Sequence, residues 1–529
     1  MVGCTATTES DGTVMSASAS AETDQRGIVS DVHEKATRKD WLGLAVLVVP
    51  ILLVSMDISV LYLALPAVTA DLEPSSNQTL WILDLYGFFL AGLLITMGSV
   101  GDRIGRRRLL MVGALVFGAA SVLAAFSTSP EMLLIARALL GVGGATIAPS
   151  TLSLIRNMFR DPAQRKEAIG LWTAGFAGGG AIGPVIGGFL LEHFWWGSVF
   201  LVNIPVMIVI LVAAPLLVPE FKDPEPGKFD PISVALSIVA MLGIVYAIKH
   251  GAQEGFDVAT VSTAAGGLVL GFLFVLRQRK AKDPLIDVTL FGERAFSAAV
   301  LVQFLVIFAL TGFSLFASQY LQLLVGLGPL AAGLWLLIPA AAAAVGAVFS
   351  PTLSKIIPTG TIIAGGLVLI AVGSLALHFV GSNSGIPLLI TGMSLITLGV
   401  GAASTLNSDI VLTAAAPEKA GAASALSETG AELGGAVGIA ILGTIGSTVY
   451  RNGVSAQVPP NTPADIAGPA TETVGGGMAV AELLPPPLND MLRELAAQSF
   501  VDGLNLAAVW SAGLMAVSAV VVYGLLRRT

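Results

Sequence analysis

Six ionisable residues sit inside stretches that are otherwise apolar. Asp57 lies within Ser55-Met56-Asp57-Ile58-Ser59-Val60, and Asp84 within Leu80-Trp81-Ile82-Leu83-Asp84. Arg137 falls in Leu134-Ile135-Ala136-Arg137-Ala138, and Glu428 and Glu432 lie one helical turn apart. Asp409 stands near one end of its stretch, where it either lines a cavity mouth or is interfacial. A charge in the middle of a bilayer costs roughly 2.5–3.5 kcal/mol on insertion scales, so each needs a partner or a wet cavity. Carboxylates in such places hold protons, pair with a cation, or both. Trp81 (i−3) and Phe88 (i+4) share the helix face of Asp84. A carboxylate between aromatic rings suits a lipophilic cation, which gains charge pairing and cation–π contact together. Trp81 fits an interfacial belt equally well. Gly430, Gly434 and Gly438 form a small-residue seam about 200° around the helix from the two glutamates. That helix therefore has a packing face and an acidic face, the latter meeting a cavity or hydrogen-bonding a neighbouring helix.

Other chemistries find little support. His33 lies in the N-terminal stretch, and His193, His250 and His378 fall near the ends of apolar stretches. The only cysteine, Cys4, cannot form an intramolecular disulfide or a thiolate cluster, and no apolar region precedes it as a lipoprotein site requires. Gly227-Lys228 is followed by Phe229, so it is not a phosphate-binding loop. No zinc spacing or nucleophile elbow is present. No metal, cofactor, nucleic-acid partner or enzyme activity is expected, and an ion gradient remains as the energy source for any uphill work.

The elements that carry these residues are membrane helices. Of 529 residues, 55% are hydrophobic and 12% charged, whereas soluble domains are nearer a quarter charged. Hydropathy predicts fourteen spans, at 42–68, 79–101, 109–127, 131–155, 168–191, 197–218, 232–249, 259–276, 296–324, 330–350, 361–379, 386–412, 421–449 and 502–526. Cytoplasmic loops collect Lys and Arg. With both termini inside, Lys249, Arg451 and Arg493 are the only basic residues in outer segments. Arg137 lies within a span, and all the others of the 27 fall on the inner side. This predicts a multi-pass protein of the plasma or inner membrane with cytoplasmic termini. Residues 1–38 are expected to be a disordered tail. The outer loop 450–501 is expected to hold two short amphipathic helices between Met478 and Ser499, broken at Pro485-Pro486-Pro487.

Two glycine-rich patterns stand out. Gly98-x3-Asp102-Arg103-x-Gly105-Arg106-Arg107-x follows the second span, where glycines allow a tight turn and Asp102 can pair with arginine or cap the next helix. It also serves as a basic anchor. Gly170, Gly179, Gly183, Pro184, Gly187 and Gly188 lie within the fifth span, where glycine permits close helix approach and Gly-Pro invites a kink.

With these patterns, Met56–Pro66, Leu80–Tyr86 and Ala420–Gly434, the chain from about 42 to 526 resembles the fourteen-span drug:proton antiporters of the major facilitator superfamily. The closest likeness is to efflux pumps for quaternary ammonium compounds and dyes. The resemblance implies an all-α fold of two six-helix bundles, 42–218 and 296–529, with two inserted helices within 219–295 and a hairpin in the last outer loop. It implies export of lipophilic cationic drugs, dyes and quaternary ammonium compounds by a monomer, with the proton as coupling ion. Asp57, Asp84, Glu428, Glu432, Arg137 and Asp409 become coupling or cation-binding groups, and Trp81 and Phe88 become pocket aromatics. Gly98, Asp102, Arg103, Gly105 and Arg106 become a conformational latch. Some members carry a tenth-span acid that serves divalent cations. Here Ile338-Pro339 leads only into alanines and Val345, which puts efficient divalent export in doubt. The alternative is a dedicated exporter of an endogenous metabolite, antibiotic or lipid; a sensor or membrane enzyme lacks a constellation to support it.

Overall fold

The computed structural model describes residues 35–222, 230–254, 257–281, 284, 288–382, 385–414, 420–457 and 464–526. Residues 1–34 of the expected N-terminal tail, residues 227–229, and Lys282, Lys419, Arg527 and Arg528 lie outside them, while the tail's last residues lead into α1 at Arg38. Every regular element described is helical. The first half holds α1 (Arg38–Leu72), α2 (Ser76–Ile104), α3 (Arg106–Ala125), α4 (Pro130–Met158), α5 (Pro162–His193), the short α6 (Ser198–Leu201) and α7 (Asn203–Leu217). Then come α8 (Pro231–Glu254) and α9 (Val258–Lys280). The second half holds α10 (Arg294–Gln319), α11 (Pro329–Leu353), α12 (Thr359–Leu377), α13 (Ile386–Ala414), α14 (Ala420–Gly438) and α15 (Thr444–Ser455). The short α16 (Ala464–Glu472) and α17 (Val474–Leu483) precede the long α18 (Leu488–Leu526). π-Helical turns at Tyr320–Leu324 and Ile439–Gly443 extend α10 and join α14 to α15.

Local chemistry sets the helix starts. Thr37 and Ser75 make capping boxes with Asp40 and Gln78, satisfying backbone N–H groups at both ends of the exchange. Ser129 caps α4 ahead of Pro130, whose missing N–H is no loss at a first turn. In the bilayer every backbone polar group must be satisfied within the chain, which leaves helices as the only option for these stretches.

Among the described residues, twelve helices are each long and apolar enough to cross a membrane. In addition α2, bent by 50° between Asn77–Leu94 and Thr96–Ile104, makes a thirteenth if its two parts are one span. The expected seventh span corresponds to α8, whose apolar part, Pro231–Ile244, falls short of a crossing before the chain turns polar at Lys249-His250. The expected count of fourteen is therefore not reached among the described residues. The outer loop also differs from expectation. Its helices are α16 and α17, and the prolines separate α17 from α18, which begins at Leu488 rather than at 502.

Each half has its own apolar core, one built largely on α1–α7 and the other on α10–α15 and α18. Close approach is glycine-mediated. Along α5, Gly179 faces the Leu52 carbonyl, Gly183 faces Ser59 and Met56, and Gly187 faces Val60, all on α1. Gly188 turns instead to Pro329 and Leu330 of α11, and Gly333 of α11 faces the Pro184 carbonyl. The fifth helix is thus sandwiched between the halves and runs through Pro184 as one element. Gly170 faces open space.

The halves touch at the end remote from Arg103–Arg108. There Ser318 Oγ donates to the Tyr62 carbonyl at 2.7 Å and Gln322 Nε2 to the Leu63 carbonyl at 3.0 Å. The hairpin helix α17 lies over this contact, with Gly475 against Thr69 of α1 and Leu323 of the π-turn. The inserted α8 packs on α2 of one half and on the π-turn Ile439–Gly443 and α15 of the other.

Candidate substrate and ion site

The buried charges converge where α1, α2, α4 and α14 meet. Arg137 Nη1 donates to Asp57 Oδ2 at 2.5 Å, with side-chain exposures of 1% and 3%. Its Nε donates to the Ile82 carbonyl at 3.0 Å, and its guanidinium carbon lies 4.7 Å from the Tyr86 ring centre. Tyr86 in turn donates its hydroxyl to the Val54 carbonyl at 3.4 Å. One arginine therefore ties three helices through an ion pair, a carbonyl and an aromatic face. The position is prepared by Gly141, one turn along α4. Its missing Cβ leaves room for the Tyr86 carbonyl and Phe89, so α2 can approach. A fork of rigid donors is suited to this; an ammonium would satisfy fewer partners.

The acidic belt continues across to the second half. Asp84 is 2% exposed on α2. Glu432 of α14 lays Oε2 against the Cα of Gly87, where a Cβ would stand 3.0 Å away. Asp84, Arg137 and Glu432 all lie within electrostatic reach of the buried Tyr62, and Asp57, Glu432 and Arg137 within reach of Tyr86. Glu428 lies one turn below Glu432 and acts on it. The glycine seam of α14 points elsewhere: Gly430 meets Val300, and Gly434 and Gly438 meet the Phe304 and Phe308 carbonyls of α10. Packing and acidic faces are thus separate. Trp81 lies 6.0 Å from Phe88, which is buried against Ala436 and Ala440. Asp409 does not join the cluster; it is exposed near the far end of α13. Asp57, Asp84, Glu432 and Glu428 outnumber the one buried guanidinium of this region, and protons or a bound cation can neutralise the excess negative charge.

At the basic end, Gly105 adopts φ 109°, a conformation that disfavours any side chain. Asp102 pairs with Arg106 at 2.5 Å. The turn is held by a residue that sequence reasoning did not single out. Glu220, just past α7, accepts from the Arg107 backbone N–H at 2.9 Å and approaches the Arg107 and Arg108 guanidinium groups. Arg107 also donates to the Val218 carbonyl at 3.0 Å. An acid directly after an apolar span, facing a run of three arginines, was the available signal. Arg103 is half-buried beside this turn, and Gly98 faces open space. Tyr62 and Tyr86 were also missed as members of the charged cluster, because nothing in their spacing distinguishes them from packing aromatics.

Two helical halves, a charged layer between them, and a seam closed at one end define a polytopic membrane carrier. The family model of the Major Facilitator Superfamily matches residues 47–439. The chain belongs to that superfamily, and it is a transporter rather than an enzyme. It is 44% identical to the multidrug efflux pump LfrA of Mycolicibacterium smegmatis over 92% of this chain and 96% of that one. It is 34% identical to the methyl viologen resistance protein SmvA of Salmonella typhimurium, over 90% and 96%. A tetracenomycin C resistance and export protein of Streptomyces glaucescens is 30% identical over 91% of each chain. Among solved structures, a bacterial homologue of the human lysosomal transporter Spinster, inward-facing and unoccupied, matches with TM-score 0.66 at 17% identity, covering 93% of this chain and 98% of that one.

Proposed function

We propose that the chain is a proton-coupled antiporter that exports lipophilic monovalent cations across the cell membrane. The observation that carries this reading is the meeting of carboxylates from both halves, Asp57 and Asp84 with Glu428 and Glu432, beside the aromatics Trp81 and Phe88. Glu428 is the coupling acid, and Glu432 and Asp84 meet the cation. Asp57 is exchanged between Arg137 and the transported species, and Asp409 serves the inner mouth. The turn around Asp102, Arg103 and Arg106 latches the closed inner side. The relative named as a multidrug efflux pump supports the substrate class.

Energetics favour several acids. One proton exchanged for one monovalent cation moves no net charge. Two protons import one charge, worth about 2.3 kcal/mol per 100 mV, or roughly fifty-fold in gradient. Ethidium efflux from energised cells expressing the chain, with and without a proton uncoupler, tests the reading. Efflux that stops with the gradient supports it; efflux that survives collapse overturns it. The missing tenth-span acid supports weaker export of divalent cations. Methyl viologen is such a dication, so comparing its efflux with that of ethidium checks that part. A second reading, export of a made antibiotic, is favoured by the tetracenomycin C relative.

A further inference from the structure

Three rings from two helices form a ladder at the seam between the halves. Trp81 of α2 lies 6.4 Å from Tyr246 of α8, with the planes 33° apart. One turn on, Tyr246 stacks on His250 at 5.4 Å and 14°. His250 Nε2 stands 3.3 Å from Asp257 Oδ2. Asp257 caps α9 by accepting from the Thr260 N–H at 2.7 Å. At the other end of the ladder is the buried Asp84, one turn from Trp81 on the same helix face. The ladder therefore runs from one carboxylate to another.

Its place is unusual. Because α8 packs on both halves, these rings stand where the seam would otherwise open sideways into the bilayer. Tyr246 is 36% exposed, so part of its ring is open to a ligand. Trp81 and Tyr246 are a tilted ring pair in contact, with centroids 6.4 Å apart, so a flat cation would stack on the open part of the Tyr246 ring rather than between the two. Ring faces attract cations, and attract them more when desolvated. An alkylammonium has no flat ring to stack and would sense chiefly the carboxylates.

We propose that Trp81, Tyr246 and His250 form a lateral binding site for flat aromatic cations, entered from the bilayer along the inserted helix α8. The proposal rests on the cation-export reading for its ligand class. It makes the inserted pair, through Tyr246 and His250, a determinant of which cations reach Trp81 and the acidic cluster.

The test uses the full chain in vesicles, with ethidium as the flat cation and dodecyltrimethylammonium as the ring-free one. Tyr246→Ala should raise the KM for ethidium about tenfold with kcat held, and change the KM for dodecyltrimethylammonium less than twofold. Tyr246→Phe keeps the ring and should match the parent for both. Ethidium binding to the purified protein, read by its fluorescence, should weaken in parallel. If Tyr246→Ala leaves ethidium KM and binding unchanged, or weakens both cations alike, the site is wrong while the export reading stands. A parent that binds ethidium, loses binding in Tyr246→Ala, yet pumps neither cation overturns the export reading and upholds the site. A parent that neither binds nor moves ethidium overturns both.

Discussion

The Asp57–Arg137 pair is the point where structure and function are hardest to separate. Both side chains are buried, and breaking a buried pair from one side costs about 3–5 kcal/mol because the other charge is left uncompensated. Asp57→Asn should abolish ethidium efflux and also lower the thermal midpoint of the purified protein. Asp57→Asn combined with Arg137→Gln removes both charges and should recover most of the midpoint, without recovering efflux. If the double variant pumps, the pair is a fastening only. Glu428 calls for a different test. Glu428→Gln should still bind ethidium but lose uphill transport and substrate-induced proton release; a variant that releases protons and pumps like the parent removes Glu428 from coupling. The acids themselves were legible in the sequence, because a charge in an apolar run is conspicuous. Their grouping was not. That Arg137 takes Asp57, 80 positions away, and that Glu432 reaches Gly87 depend on helix rotation and register, which spacing within one helix does not specify.

Among the elements, the helices themselves and the glycine faces were readable, since small residues at helical spacing have few other uses. Gly430, Gly434 and Gly438 meet α10 as a seam should. The ends of elements were less readable. The seventh stretch fades into polar residues, and the last helix extends fourteen residues before the apolar run that announced it, because an amphipathic surface helix continues straight into a span. The α8–α9 pair is fastened at its basic end by Asp230 and Arg277, joined through two bonds of 2.8 Å, with Gln278 donating to Ser233 at 2.7 Å. The Arg277 hydrogen bonds hold the Asp230 carboxyl well below the usual carboxylate range. A depressed carboxylate contributes stability above its ordinary pKa and loses it as pH falls below that value. The fastening should therefore be constant from pH 8 to about 5. A disulfide-free proximity probe, such as spin labels on α8 and α9, should report an unchanged distance over that range and a looser one in Asp230→Asn at every pH. A distance that shifts between pH 7 and 5 in the parent would contradict this.

At the scale of the molecule, the two halves press together at one end through backbone contacts that have no room for a methyl group. A Cβ on Gly188 would meet the Pro329 carbonyl oxygen at 2.6 Å, and one on Gly333 would strike the Pro184 carbonyl. Gly333→Ala should wedge that end open. A cysteine placed at Gln319, in the small pocket beneath α17, should then react faster with an impermeant thiol reagent added outside, and ethidium turnover should fall several-fold. An unchanged labelling rate would show that the contact is not a gate. Orientation in the membrane rests on the basic residues. Reporter fusions after Lys228 and Lys282 are expected to read cytoplasmic and one near Gly475 external; a cytoplasmic signal at Gly475 would reverse the assignment.

The inserted α8 touches both halves at once, while its companion α9 leaves Val258, Leu268, Val269 and Phe272 exposed. Any motion that parts the halves must slide α8 along one of its two supports, dragging a two-helix paddle through acyl chains. The friction of each cycle is then set partly by the lipid and not by the protein alone. Turnover would track the viscosity of the host membrane, slowing where the chains stiffen, so that the composition of the bilayer becomes a governor on the speed of the machine it surrounds.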